Sequence, residues 1–489
     1  MTTFTEHVGL DAEEIVCQLS ELVGQDAITT DLRERQLASV DRFRKYTAIN
    51  GIFDGPLPAA IVNAADTQQV ASVLAWANEH RVPVVARTGR TGTEGGLETI
   101  VEHTIVLDGS RMNRIISIDP VNMMATAECG VKLQDLEDEV RKLGLTTGHS
   151  PQSKPLAQMG GLTSTRSIGQ LSTLYGGIED MVVGLEAVLP DGTITRIKNV
   201  PRRAAGPDIR HIVIGNEGAL CFITEVTVKL FRYYPDNNRH LGYLVPDMET
   251  GLDVIRTVVT DGFRPSVCRV YSEEDARQHF AHFHKGSCVL VFVAEGPQGI
   301  VDATVAEIEQ VVAGVQHEPV PEQLIADWFA NLNWGLDKIV AEQQYMLSHH
   351  NLGYTTEVSA NWSDVAELYN SVMRRIRTEF PAAADLTMLG AHSSHSYQTG
   401  TNLYFVYDYD IRCEPRDEIT TYHVPLNAII VEEALRVGGS MVHHHGIGKY
   451  RTQWTHQEHG SAYPLLTGLK RAFDPNGIMN PGTIFPLAD

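Results

Sequence analysis

“RTGRTGTEGG”, residues 87–96, directly follows the apolar run “VPVVA” and places four glycines within eight positions. Glycine takes φ > 0 readily and lets the backbone approach a ligand closely, so successive N–H groups can surround phosphate oxygens. The stretch fits neither a G-x-G-x-x-G turn opening a helix nor a G-x-x-x-x-G-K-[ST] loop. Taken alone it reads equally well as a surface turn, and its neighbours decide. Before it, “ADTQQVASVLAWANEH” (65–80) has helical spacing; after it, “TIVLDGS” (104–110) is a second short apolar strand. The loop thus sits at the end of a strand in an alternating helix-and-strand domain.

The alternation continues through “MMATAECGV” (123–131), the helical “KLQDLEDEVRKLG” (132–144), “MVVGLEAVLPDGTITRI” (181–197) and “GALCFITEVTVKLFRYYP” (218–235). Asp191-Gly192 is a favoured hairpin turn within the third of these. The first domain is expected over 55–235, after an N-terminal helical extension over 1–54. A strand-then-helix pattern restarts at “RHLGYLVPDMETGLDVIRTVVTDG” (239–262) and gives a second α/β unit over 236–426. The remaining 427–489 is too short to fold alone and is expected to pack back on the earlier domains.

The chain has 489 residues, too many for one hydrophobic core. Its 43% hydrophobic and 20% charged residues are ordinary for a globular protein. A net charge of −22 opposes nucleic acid and anionic membranes as partners. No apolar stretch reaches the length of a spanning helix, and the acidic N-terminus does not resemble an export signal. A cytoplasmic location is expected. The six cysteines lack C-x-x-C spacing and read as reduced thiols.

Three further stretches appear in order: “TGHSPQSKPLAQMGGLTSTRSIGQLSTLYGGIEDMV” from Thr147, “PRRAAGPDIRHIVIGNEGALCFITE” from Pro201, and “MVHHHGIGKYR” (441–451) followed by “DPNGIMNPG”. Together with the glycine loop they resemble flavoproteins of the vanillyl-alcohol oxidase and p-cresol methylhydroxylase superfamily. Within it the chain is most similar to alkyldihydroxyacetonephosphate synthase and its bacterial relatives, with D-lactate and D-2-hydroxyglutarate dehydrogenases more distant. The resemblance implies an α+β / α/β fold: a two-subdomain FAD-binding domain, a cap domain for substrate, and a C-terminal segment completing the FAD site. It also implies a homodimer and dissociable FAD, since no histidine lies in the glycine loop.

Carried over position by position, the resemblance places Arg87, Thr88, Gly89, Arg90, Thr91 and Gly92 around the FAD pyrophosphate, with Arg90 where relatives carry a small residue. It places Gln152, Ser153, Gln158, Gly161, Thr165, Arg166 and Ser167 along the flavin, and Glu217, Gly218 and Ile223 at the adenine end. Tyr397 matches the family's proton-transfer tyrosine, His443, His444 and His445 its catalytic triplet, and Arg202 an arginine needed for activity. Arg269 is a candidate cation for a substrate carboxylate or an acid on the surface. Gln343 falls where the synthase holds its substrate phosphate with an arginine, and a neutral amide cannot make that charge-assisted contact.

If Thr401, Leu403 and Phe405 face a core, the alternation turns Asn402 and Tyr404 to the other side, where a cavity can form. Consecutive histidines on a strand point to opposite faces, so the triplet is not expected to hold one metal. The positions matching the metal ligands of D-2-hydroxyglutarate relatives are Tyr397, Tyr404 and His444, and phenols bind such metals poorly. His392 and His395 read as supporting or surface residues. The expected activity is FAD-dependent oxidation of a small hydroxylated substrate, an alcohol or hydroxy acid. Hydride passes to flavin N5, Tyr397 with a histidine takes the proton, and oxygen or another acceptor reoxidises the flavin. The alternative implied by the resemblance is the synthase reaction, exchange of acyl for alkoxy through a flavin adduct.

Overall fold

The computed structural model describes residues 9–487. Around the glycine loop, the strands Val84–Arg87, Ile105–Asp108 and Ala60–Asn63 form a parallel sheet whose interior side chains are fully buried. The helix Thr67–His80 packs on it, started by Asp66, whose carboxylate accepts from the Gln69 N–H. Such a side-chain cap satisfies one of the otherwise free first-turn donors. The N-terminal region is more than a helical extension. Its strand Ile28–Thr29 adds antiparallel to Ala60–Asn63, and its short helices carry Asp41, Arg42 and Lys45 to the central cavity.

A second sheet of five antiparallel strands runs in the order Ile115–Asp119, Met124–Glu128, Phe222–Lys229, Val182–Val188, Ile194–Ile197. The Asp191-Gly192 turn joins the last pair as a hairpin, with Gly192 at φ +84°. The cap contains a seven-stranded sheet in which every pairing is antiparallel. Its strands Gly400–Asp410 and Asn351–Asn361 pair along their full length. Leu403, Phe405, Tyr407 and Tyr409 enter the cap core, while Tyr404, Val406 and Asp408 line the cavity. A period of two thus separates core from cavity along one strand. Asn402 departs from the expected cavity position: it is buried, and its Oδ1 accepts from the N–H groups of Ser394 and His395, both at 2.9 Å.

The C-terminal segment returns to the first sheet. Met479 bridges Val84 in parallel, and Lys470 donates to the carbonyls of Ala219 and Met479. The six cysteines are unpaired. Among the described residues no helix is long and apolar enough to cross a membrane.

Candidate active site

A cavity of about 600 Å³ lies where the two sheets of the first domain, the cap and the C-terminal segment meet. One wall is backbone. A Cβ at Gly89 would stand 2.8 Å from the Gln158 N and 3.0 Å from the Leu156 O, so the loop 87–92 presses directly on the segment 156–158. Arg87 supports it from behind through a buried ion pair with Asp108 at 2.6 Å. Arg90 occupies the left-handed region at φ +56°, an uncommon place for a side chain.

The facing wall consists of side chains. The triplet 443–445 is not a strand but a bend wrapped around Glu357, which is fully buried. The two oxygens of Glu357 accept from the His443 N–H at 2.5 Å and the His445 N–H at 2.6 Å. Glu217 clasps the next part of the turn in the same way, accepting from the N–H groups of Ile447 and Gly448, both at 2.8 Å. Gly448 is required there: its φ is +55°, and a Cβ would sit 2.0 Å from the Glu94 O. The geometry explains the G-x-G that follows the histidines.

Arg451, wholly buried, links this turn to the glycine loop by reaching Glu94 at 3.2 and 3.3 Å and the carbonyls of Glu357 and Met441. Burial pushes the Glu357 carboxyl up, but Arg451, His445 and His443 outweigh it and hold the group below its ordinary range. Glu217 has no such surplus of cations, and burial raises it to about 7.

A hydrogen-bonded line crosses this wall. Thr355 donates to the Tyr404 hydroxyl at 3.0 Å, Tyr404 meets His445 Nε2 at 3.1 Å, and His445 Nδ1 meets Glu94 at 3.1 Å. Burial lifts Tyr404 to about 12, so the phenol keeps its proton at neutral pH. Burial and the neighbouring His445 and His443 hold His444 well below its usual value. His392 stacks on Tyr404 at 4.9 Å and meets Asp275 at 2.6 Å.

Residues 58–198 match the FAD binding domain family, and residues 234–484 match the C-terminal domain of FAD linked oxidases. The chain belongs to the FAD-linked oxidase family. The FAD-linked oxidoreductase YgcU of Escherichia coli (strain K12) is 60% identical over 98% of this chain and 100% of its own length. Alkyldihydroxyacetonephosphate synthase of Trypanosoma brucei brucei is 26% identical over 98% of this chain and 84% of its own. The solved structure of p-cresol methylhydroxylase with substrate bound shares the fold, with a TM-score of 0.75 and 18% identity over 97% of each chain.

As a member of this family the protein is a flavoprotein oxidoreductase whose cofactor is FAD. The cavity fits that group. Gly89 and Gly161 leave backbone bare on one wall, where a Cβ at Gly161 would come within 2.9 Å of Thr88 Oγ1. Asp41 Oδ2 is buried at the cavity without a hydrogen-bond partner among the described residues. Burial and Glu98 raise Asp41 to about 7, so in its neutral form it can donate to a ligand without repelling phosphates.

Of the FAD candidates, Arg87 to Gly92, Gln152, Ser153, Gln158, Gly161, Thr165, Ser167, Glu217 and Ile223 line the cavity. Arg166 and Gly218 do not. Arg166 pairs with Glu179 at 3.4 Å on a half-exposed face, and Gly218 packs behind the loop, where a Cβ would be 3.1 Å from that of Ala86. His444, His445, Tyr404 and Arg269 also line the cavity. Tyr397 and His443 meet each other at 2.7 Å but lie outside its lining, and Tyr397 is 37% exposed. Arg202 is exposed on a surface loop. Gln343 is turned from the cavity, and its neighbour Glu342 faces inward, paired with Arg42 and Lys45.

Sequence reasoning missed Glu94, Glu357 and Arg451, and set His392 and His395 aside although both are buried and line the cavity. One available signal was the charged Glu357 inside the alternating strand “YTTEVSA”. An acid on such a strand needs a partner wherever the strand is covered.

Proposed function

We propose that this flavoprotein oxidises the CH–OH group of a small or medium hydroxylated substrate, with Tyr404 and His445 removing the hydroxyl proton. The observation that carries the reading is the line Thr355–Tyr404–His445–Glu94, whose Tyr404 faces the cavity. A carboxylate only accepts hydrogen bonds, so Glu94 fixes the His445 proton on Nδ1 and leaves Nε2 to receive one from Tyr404. The Tyr404 oxygen then takes the substrate's hydroxyl proton as its own moves to Nε2, and C–OH becomes C=O. A phenol titrating near 12 suits this relay better than it suits a free phenolate base. Arg451 keeps Glu94 in place, and Glu357 holds the backbone of His445.

Bound FAD supplies the acceptor for the hydride that leaves the same carbon. The residues that hold it in this reading are the loop 87–92, Gln152, Ser153, Gln158, Gly161, Thr165 and Ser167 on the backbone wall, with Glu217 and Ile223 beside them. Oxygen or another electron acceptor completes the turnover. Tyr397 and His443 become a supporting pair, because neither side chain reaches the cavity lining.

Anaerobic titration of the yellow protein with hydroxy acids and alcohols tests the reading through bleaching of the flavin band. A second reading, alkoxy exchange of the kind the likeness to alkyldihydroxyacetonephosphate synthase suggests, is favoured by that relative's match over 98% of this chain. Product formation from acyl-dihydroxyacetone phosphate without lasting bleaching would replace the first reading with the second. Glu342 on the helix Leu336–His349 is neutralised at that wall by Arg42 and Lys45, so the flavin readout and not this acid separates the two readings.

A further inference from the structure

We propose that the cap end of the cavity is a subsite for one carboxylate, built on Arg269, so that the substrate is a hydroxy acid rather than a plain alcohol. Arg269 is central in the cap strand Val267–Tyr271, is 4% exposed and lines the cavity. Its partners are neutral. One terminal nitrogen donates to the Tyr271 hydroxyl at 2.6 Å, the other to the Gln170 side-chain oxygen. Its Nε has no partner among the described residues, and no acid there lies within ion-pairing distance of the guanidinium.

The three acids of the adjacent helix Glu273–His279 do not serve: Glu273 pairs with Arg277 and Glu274 with Arg377. Asp275 is committed to His392 at 2.6 Å and His279 at 3.3 Å. A guanidinium taken out of water needs a counter-ion or a full set of hydrogen bonds, and Arg269 has neither within the protein. In a chain with 61 acids against 39 Lys and Arg, a buried cation left without an acid points to an anion from outside.

The chemistry of the pocket favours a carboxylate over a phosphate. The subsite offers one fixed charge, flanked by the Trp328 ring at 5.6 Å from the guanidinium carbon and by neutral Gln170 and Tyr271. One guanidinium matches a monoanion; a phosphate dianion calls for more positive charge. The subsite also joins the proton-transfer line. His392 stacks on Tyr404 at 4.9 Å and meets the Tyr271 ring at 4.8 Å in a tilted contact, and Tyr271 carries the hydrogen bond to Arg269. A hydroxyl at Tyr404 and a carboxylate at Arg269 thus belong to one molecule spanning the width of the His392 and Tyr271 rings. The inference rests on the oxidation reading for its hydroxyl end and is independent of it for the anion.

Two hydroxy acids that cannot lose a hydride, 2-hydroxyisobutyrate and benzilate, test the subsite on the FAD-loaded protein by perturbation of the flavin spectrum. Binding by either is expected, with at least tenfold weaker binding of the corresponding amide and of inorganic phosphate. Arg269→Gln should weaken the acid at least tenfold, Arg269→Lys less, and Tyr404→Phe about twofold or less. If Arg269→Gln does not fold, the comparison of acid, amide and phosphate on the unaltered protein decides. Equal binding of acid and amide, tighter binding of phosphate, binding unaffected by Arg269→Gln, or no binding of either acid overturns the subsite. Bleaching assays fail separately: if hydroxy acids bind through Arg269 yet never bleach the flavin, the oxidation reading falls and the subsite stands.

Discussion

The two walls of the cavity are made of different material. The wall from the first domain is mostly main chain, a glycine loop pressed against the segment 156–158, with little room for a side chain at Gly89. The opposite wall is imidazole, phenol and guanidinium, held in place by the buried carboxylates Glu94 and Glu357 and by the half-buried Glu217. Backbone recognises what every member of a cofactor class shares, its phosphates and ring edges, and tolerates few substitutions. Side chains distinguish one substrate from another and can be exchanged singly, provided the charges behind them remain satisfied. Damage to the first wall should remove the cofactor; damage to the second should leave a yellow but slow protein.

The sharpest break of this contrast is Gly89→Ala. Its new methyl meets backbone at 2.8–3.2 Å, which cannot give way as a side-chain end can. Protein purified from this variant should contain less than about a tenth of the normal flavin, measured by absorbance after denaturation; retention of full flavin would show that the loop is not the cradle. Tyr404→Phe acts on the other wall. It should keep its flavin while slowing anaerobic bleaching by about 10²–10³-fold, the scale of a positioned proton-transfer group. A change below about threefold would remove Tyr404 from the relay.

A smaller effect separates buried imidazoles from the backbone wall by pH. Burial holds His443 near 4, below its ordinary 6.5, so between these values the unfolded chain binds a proton that the folded chain excludes. The stability associated with this neutral ring is whole above pH 6.5 and declines as pH falls towards 4. His443→Gln should flatten that decline by roughly 1–3 kcal/mol, read from denaturant unfolding at pH 7 and pH 4.5. An unchanged slope would mean that the ring is wet in solution. The smallest effect belongs to Arg90→Gly. Relief of the left-handed conformation should stabilise the flavin-free protein by about 0.5–1 kcal/mol. Loss of a cation from the loop should weaken FAD a few-fold, measurable by fluorescence titration.

The contrast also governs how much was legible in the sequence. The place of the glycine loop at the end of a strand, the hairpin at Asp191-Gly192 and the alternation that turns Tyr404 away from the core are local patterns, and each of these positions stands in the structure as read. The second wall is not local. Glu357 faces Tyr404 because two strands pair in one register, and a shift of one residue would turn it inward. Glu94 was in view within the opening stretch, but its partner Arg451 is 357 positions away. Asp41, Arg42 and Lys45 looked like part of a separate extension because nothing in their spacing shows that an edge strand ties that region to the sheet. The histidine triplet was recognised as a group, while its backbone was expected to be extended. The bend comes from a carboxylate 86 positions upstream of His443.

The separation of Glu94 from His445, 351 positions, has a consequence during synthesis. At about 5–20 residues per second, roughly 20–70 s pass between translation of the glycine loop and translation of the histidine turn. Through that interval the nascent chain carries the cofactor shelf without the turn that covers it. Chain made as far as residue 440 contains the carboxylates of Glu357 and Glu217 and none of the four N–H groups they receive in the finished fold.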